Sequence, residues 1–223
     1  ANLRLPFVRV SPTTMLIAAA GIAIASFAYP ITATMPRLDE RFSHDQGAHT
    51  LNAFDWMNYA TFTNADGHIF NMQADYAAIN WFLDNVSGTP VIAEAMLGPY
   101  RGDGSRFSIA TGFPDMLGWD RHETQQRYPA DVTARSEQLR RLYTSTNTAE
   151  KMSILEEFDV SYVIVGDIER YGTIGDSGPR FATADGIAAL ESMVGEGLEI
   201  AFQQGTTTVY RVVPAETANE TGG

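Results

Sequence analysis

The sequence predicts a mixed α/β domain, a mixed sheet with flanking helices and a C-terminal β-hairpin, preceded by one transmembrane helix. Three observations lead there. No charged side chain occurs between Arg9 and Arg37, which is the signature of a segment that lies in hydrocarbon. Downstream, short apolar runs bounded by turn residues alternate with stretches of helical periodicity. Near the C-terminus, two β-patterned segments flank Gln204-Gly205 as a hairpin. Helix, strand, helices, strand, helix, hairpin is the chain order of a domain whose sheet contains both parallel and antiparallel pairs.

Residues 1–11 read as a cytoplasmic arm and 12–34 as the transmembrane helix. Inside the latter, Met15 to Ile31 reads MLIAAAGIAIASFAYPI, long enough for the shorter spanning helices, which need roughly 17–25 residues. Arg4 and Arg9 precede it, so the positive-inside rule puts the arm in the cytoplasm and everything from about Met35 outside. A cleaved signal peptide fits the same basic arm and apolar run, with small residues at Thr32 and Ala33. The start at Ala1 and the ten residues before Ser11 favour instead the C-terminal piece of a longer protein, with this as its last membrane helix.

Residues 35–73 form an irregular, aromatic-rich segment with one short helix near Ala53–Tyr59. The extracytoplasmic α/β domain spans 74–214. Ala74, Ala78, Trp81, Phe82 and Asn85 share one helical face, and Gly88 with Pro90 stops that helix. Val91 to Ala95 reads as a buried strand. A long loop, 96–131, follows, in which Arg106 to Thr111 (RFSIAT) alternates like a second strand. Helices are predicted over 132–143, 148–158 and 183–194, a strong strand over 160–165, and the hairpin over 198–203 and 206–213. Residues 215–223 are a polar, disordered tail.

The chain has 223 residues, with 27 acidic side chains against 15 basic ones and a net charge of −12. It has no cysteine, which excludes a disulfide scaffold, a thiolate zinc site and a cysteine nucleophile. Its basic residues, 14 Arg and one Lys, are too few and too scattered for a phosphate-tracking surface, so nucleic acid is not an expected partner. The pI near 4.6 with almost no Lys fits a halophilic source, where salt screens self-repulsion, or a GC-rich genome that encodes Arg for Lys. Two acceptor tripeptides for N-glycosylation begin at Asn85 and Asn219.

In α/β sheets, ligands sit at the carboxyl ends of parallel strands. Here those ends carry Glu94 and the turn Gly166 to Arg170. A carboxylate at the end of an apolar strand needs a partner, and Arg101, Arg106, Arg127 and Arg170 are the candidates. Either a Glu–Arg clamp of the long loop or a ligand-binding or acid/base role satisfies that need. The loop from Ser105 to Arg127 gathers hydroxyls, glycines, Trp119, His122, Glu123 and Arg127, a mixture suited to a carbohydrate or polar headgroup. His122-Glu123 lacks the second histidine of a zinc-protease helix, no G-x-S-x-G elbow exists, and Gly98 to Gly104 lacks the P-loop lysine. The residues alone show no enzyme signature.

The set Ala78–Leu83, Pro90–Ala95, Tyr100, Ser108–Pro114, Leu117–Trp119, His122-Glu123, Arg127, Tyr143, Val160–Gly166 and Glu169-Arg170, with Ala28–Pro30 upstream, resembles the C-terminal region of the Chlor_Arch_YYY family over roughly residues 28–175. These are very hydrophobic multi-pass membrane proteins of Chloroflexi and archaea. Where the family usually has Leu-Asp-Gly, this chain has Leu51-Asn52-Ala53, which leaves any role of that Asp in doubt. The family is similar to the C-type (GT-C) glycosyltransferases, which use lipid-linked sugar donors on the outer membrane face. The resemblance implies that the catalytic carboxylate lies on an external loop outside this chain. Glu94, Tyr100, Arg106, Trp119, His122, Glu123, Arg127, Glu169 and Arg170 would then bind substrate or brace the site. It implies no cofactor in this fragment, and allows a divalent metal in the longer protein. Expected partners are membrane lipid, a lipid-linked sugar, a glycan or protein acceptor, and upstream transmembrane helices of the same protein. The alternative is a non-enzymatic, membrane-anchored binding or structural domain at the cell surface.

Overall fold

The structure is a computed structural model and describes residues 11–41, 50–64, 66–98, 103–175 and 178–213. The chain divides into two compact units, Ala1–His49 and Thr50–Gly223.

The described residues of the first unit form one helix, α1 (Pro12–Arg41). Its start follows from local chemistry: the Ser11 hydroxyl accepts the Thr14 amide, and Pro12 sits where no amide is needed. Thirty residues at 1.5 Å each reach about 45 Å, more than a hydrocarbon core of about 30 Å. The stretch Pro12–Asp39 is long and apolar enough to cross a membrane. Met15, Leu16, Ile17, Ile22 and Phe27 are all exposed, and the Ser26 and Thr32 hydroxyls donate back to the Ala23 and Ala28 carbonyls. Such internal pairing is what an apolar solvent demands of a hydroxyl. The helix continues beyond residue 34, so 35–41 is helical rather than irregular, and Pro30 and Pro36 lie within it.

The second unit has the expected mixed α/β architecture. Its main sheet contains β3 (Val91–Ala93), β4 (Val160–Val165), β5 (Leu198–Gln204) and β6 (Thr207–Val212) in the order β3-β4-β6-β5. The β3–β4 pair is parallel and the other two are antiparallel. Val163, Ile164 and Val165 are all buried; because successive residues face opposite sides, both faces of β4 are covered. One cover is α2 (Gln73–Asn85), whose Phe82 and Trp81 meet Tyr162 edge-on. The Tyr143 hydroxyl, on α5 (Pro129–Thr144), lies 2.8 Å from both the Ala93 and Ile164 carbonyls and ties the parallel pair together. Helices α6 (Thr148–Glu157) and α8 (Ala184–Ser192) pack with α5, and Thr183 caps α8 through the Gly186 amide. The hairpin turn sits one residue later than expected, at Gly205-Thr206, with Gln204 paired to Thr207.

Three sequence expectations give way. Arg106–Thr111 is a helix, α3, not a strand. Its apparent alternation is a helical pattern: Arg106 and Phe107 are buried, Ile109 is exposed, and Gly112 ends the turn at φ 75°. The segment taken as irregular holds a hairpin, β1 (Thr61–Thr63) with β2 (Ile69–Asn71), after a 3₁₀ turn at Asp55–Asn58. Stacking of Phe62 on Phe70 at 4.6 Å and burial of Met57, Phe70 and Met72 hold it to the domain. Two short helices, α4 (Asp120–Glu123) and α7 (Asp167–Tyr171), stand where loops are expected. The tail, most of the arm and the loop residues Tyr100 and Arg101 lie outside the described residues.

Candidate functional site

The parallel pairing sends Glu94, just after β3, and Glu169, on α7 just after β4, to the same edge of the sheet. There they meet Arg106 from α3. Its two terminal nitrogens donate to the two Glu169 oxygens, both at 2.9 Å, in a bidentate fork. Its Nε donates to Asp75 on α2 at 2.5 Å, and Glu94 Oε2 lies 3.6 Å from Nη1. Of the three candidate partners for Glu94 among the described residues, Arg106 is the one that meets it; Arg127 pairs with Glu123 and Arg170 with Glu191, and Arg101 lies outside the described residues.

Backbone amides complete the cluster. Glu94 accepts Phe107 and Ser108 N–H at 3.0 and 2.7 Å, capping α3. Glu169 accepts Ala95 and Gly166 N–H at 2.9 and 2.8 Å. Asp75 accepts the Thr207 hydroxyl at 2.6 Å. Gly166 is required by this crowding, since a Cβ there would lie 2.9 Å from Asp75 Oδ1 and 3.2 Å from Arg106 Nη2. Glu94 and Glu169 have no exposed surface, and Asp75 and Arg106 are buried. The charge is unbalanced: three carboxylates face one guanidinium, and half-buried Asp115 stands nearby, its Oδ2 3.4 Å from the Ser105 hydroxyl.

Burial pushes the Glu94 carboxyl up to about 7, and repulsion from Glu169 adds to this against the pull of Arg106 and the two amides. Burial and repulsion from Glu94 push Asp115 well above the usual carboxylate range. Glu169 is also desolvated, yet Arg106 and its two amides hold it below that range. Burial lowers Arg106, but Asp75 and Glu169 more than reverse this and raise it. The result is a closed ionic clamp joining α2, α3, α7 and the end of β3. With every polar atom of Glu94 and Glu169 occupied from inside the protein, these carboxylates do not fit a cation; among the described residues no group of three or more His, Asp or Glu is placed to hold one. The charged atoms of Glu94, Arg106 and Glu169 are thus engaged with one another, with Asp75 and with backbone amides inside the domain.

Trp119, His122, Glu123 and Arg127 come together elsewhere, around α4. With Gln126 they line an open cleft of about 280 Å³. The Trp119 and His122 rings stack with centroids 6.2 Å apart. Glu123 accepts the Gly118 amide at 2.8 Å, and Arg127 Nη1 lies 3.0 Å from Glu123 Oε2, an ion pair whose geometry makes no hydrogen bond. Trp119 Nε1 is buried and has no hydrogen-bond partner among the described residues. Arg170 belongs to neither group; it bonds Glu191 of α8 at 3.2 Å. The sequence reading missed Asp75 and Asp115. Asp75 sits in the first turn of an amphipathic helix, where an acid is ordinary, and no local signal marks it as buried.

No family model matches the chain, and no curated protein matches it. Among solved structures, the chain is similar to the C-terminal globular domain of oligosaccharyltransferase from Archaeoglobus fulgidus, at 15% identity and a TM-score of 0.38, over 62% of this chain and 95% of that one. A likeness at that level transfers neither fold nor function to this chain.

Proposed function

We propose that this chain is the extracytoplasmic C-terminal part of a membrane-embedded glycosyltransferase of the GT-C kind that uses a lipid-linked sugar, and that it binds substrate while the catalytic carboxylate lies elsewhere in the longer protein. The resemblance set out above motivates the class, and the apolar α1 agrees with a membrane anchor. The observation that bears most weight is the α4 cleft. Trp119 offers a rigid aromatic face, Gln126, Glu123 and Arg127 supply donors and acceptors beside it, and a buried indole N–H awaits an acceptor. A sugar ring needs that combination of an apolar face and polar edge.

The test is oligosaccharide binding by the full chain in an uncharged detergent, on a glycan array with Trp119→Ala and Gln126→Ala alongside. Wild-type retention of a glycan, lost at least tenfold in Trp119→Ala, is the expected result. If the wild-type chain retains no glycan, or both variants retain what it does, the reading fails.

The total burial of Glu94 and Glu169 favours a second, narrower reading, a domain that is structural or binding only and takes no part in chemistry. Glycan transfer by the longer protein separates the two: loss in Trp119→Ala with normal membrane insertion supports the first, and full transfer supports the second.

A further inference from the structure

The first described turn after α1 presents aromatic rings to its surroundings. In the 3₁₀ turn Asp55–Asn58, residues three apart lie above one another. Phe54 and Met57 form one such pair and face inward: Met57 is buried and Phe54 packs against the core. Trp56 and Tyr59 form another and are 43% and 44% exposed, while Leu51, just before the turn, is fully exposed. A polar network fixes the turn in this orientation. Asn52 Nδ2 donates to Asp55 Oδ1 at 3.1 Å and to the Tyr76 hydroxyl at 2.9 Å, and that hydroxyl donates to the same Asp55 oxygen at 3.0 Å. Because Tyr76 belongs to α2, the turn is pinned to the domain while its outer two rings stay uncovered.

Position in the chain and charge select what covers them. Residues 42–49 lead from α1 to Thr50, and eight residues reach at most about 29 Å. Trp and Tyr, apolar in the ring and polar at one edge, concentrate where hydrocarbon meets water. Residues 35–223 carry −14, since Arg4 and Arg9 are the only charges before them. That charge repels a second copy of the chain and an anionic surface alike. Insertion of apolar rings into a bilayer needs no opposite charge.

We propose that Trp56 and Tyr59, with Leu51, insert into the lipid–water boundary of the membrane and anchor the α/β domain there. The proposal rests on the reading of α1 as a membrane span and involves no residue of the Trp119 cleft.

The experiment is tryptophan quenching in the full chain, reconstituted into phosphatidylcholine vesicles with and without bromine on the acyl chains. Bromine quenches rings that reach the lipid, and Trp56 is one of three tryptophans. Wild-type emission should therefore fall by about a third in the brominated vesicles. Trp56→Phe, which keeps an apolar ring but removes the fluorophore, should lose the effect. Adding Tyr59→Trp to that variant should restore it, because the two positions share a face. Quenching should persist in about 1 M KCl, which screens charge but leaves apolar insertion intact. Unchanged circular-dichroism melting checks the fold of each variant.

Flotation of the same vesicles separates this proposal from the reading beneath it. If the chain does not float, the membrane span fails and the anchor with it. If it floats, the span stands, and any of four results overturns the anchor: no quenching in wild type, equal quenching in Trp56→Phe, no restoration by Tyr59→Trp, or quenching abolished by KCl.

Discussion

Glu94 and Glu169 follow neighbouring parallel strands and share one arginine, yet their environments push them in opposite directions. Glu94 sits at about 7 in the fold against 4.5 when solvated, so the folded state holds its proton more tightly than the unfolded state. Its contribution to stability is therefore complete below about 4.5 and is lost as the pH rises to about 7. Asp115 acts in the same sense. Glu169 is lowered, so its contribution is present above the carboxylate's solvated value and disappears as the pH falls through its folded value. Urea unfolding across this range should show stability declining between pH about 4.5 and about 7, with a smaller decline in Glu94→Gln. An equal slope in that variant would mean that Glu94 is ionised throughout.

At the scale of elements, α3 shows what a local pattern leaves open. RFSIAT alternates well enough for a strand, and six residues are too few for periodicity to separate strand from helix. The helix is decided by contacts from other elements: the Glu94 carboxylate on its first amides, and Gly104 seated so closely that a Cβ would meet the Ala95 carbonyl oxygen at 2.2 Å and the Leu97 nitrogen at 2.6 Å. Gly112 differs, since nothing lies within 4 Å of its missing Cβ and only its φ of 75° resists a side chain. Gly112→Ala should thus cost about 1–2 kcal/mol. Gly104→Ala should cost more, because backbone atoms must move. Thermal melting of the two variants checks the order, and equal melting temperatures would refute it. The β1–β2 hairpin was illegible for a related reason: three-residue strands carry almost no alternation, and this pair is held by Phe70 and Met72 buried in the domain. The Trp119 loop, by contrast, brings together the residues that the sequence groups there, because Trp119, His122, Glu123 and Arg127 follow one another within one short stretch of chain.

For the whole molecule, charge is unevenly distributed. Arg4 and Arg9 are the only charges in residues 1–34, so residues 35–223 carry −14. At about 0.1 M salt such charges repel over about 10 Å, and at about 1 M over about 3 Å. Raising KCl from about 0.1 M to about 2 M should therefore raise the melting temperature of the full chain. A flat response would assign the Arg-for-Lys composition to coding rather than to a salty environment. The sequence by itself determined the apolar helix, the mixed α/β order, the position of Glu94 at the end of an apolar strand, and the absence of any thiol chemistry, because each rests on local pattern or on composition. Only the tertiary structure decided that Arg106 is the partner of Glu94, that Asp75 joins it, and that Glu94, Arg106 and Glu169 form one cluster while Trp119, His122, Glu123 and Arg127 line a separate cleft and Arg170 belongs to neither. Those are matters of which side chains from separate elements meet, and burial then sets their charge; no periodicity carries that information.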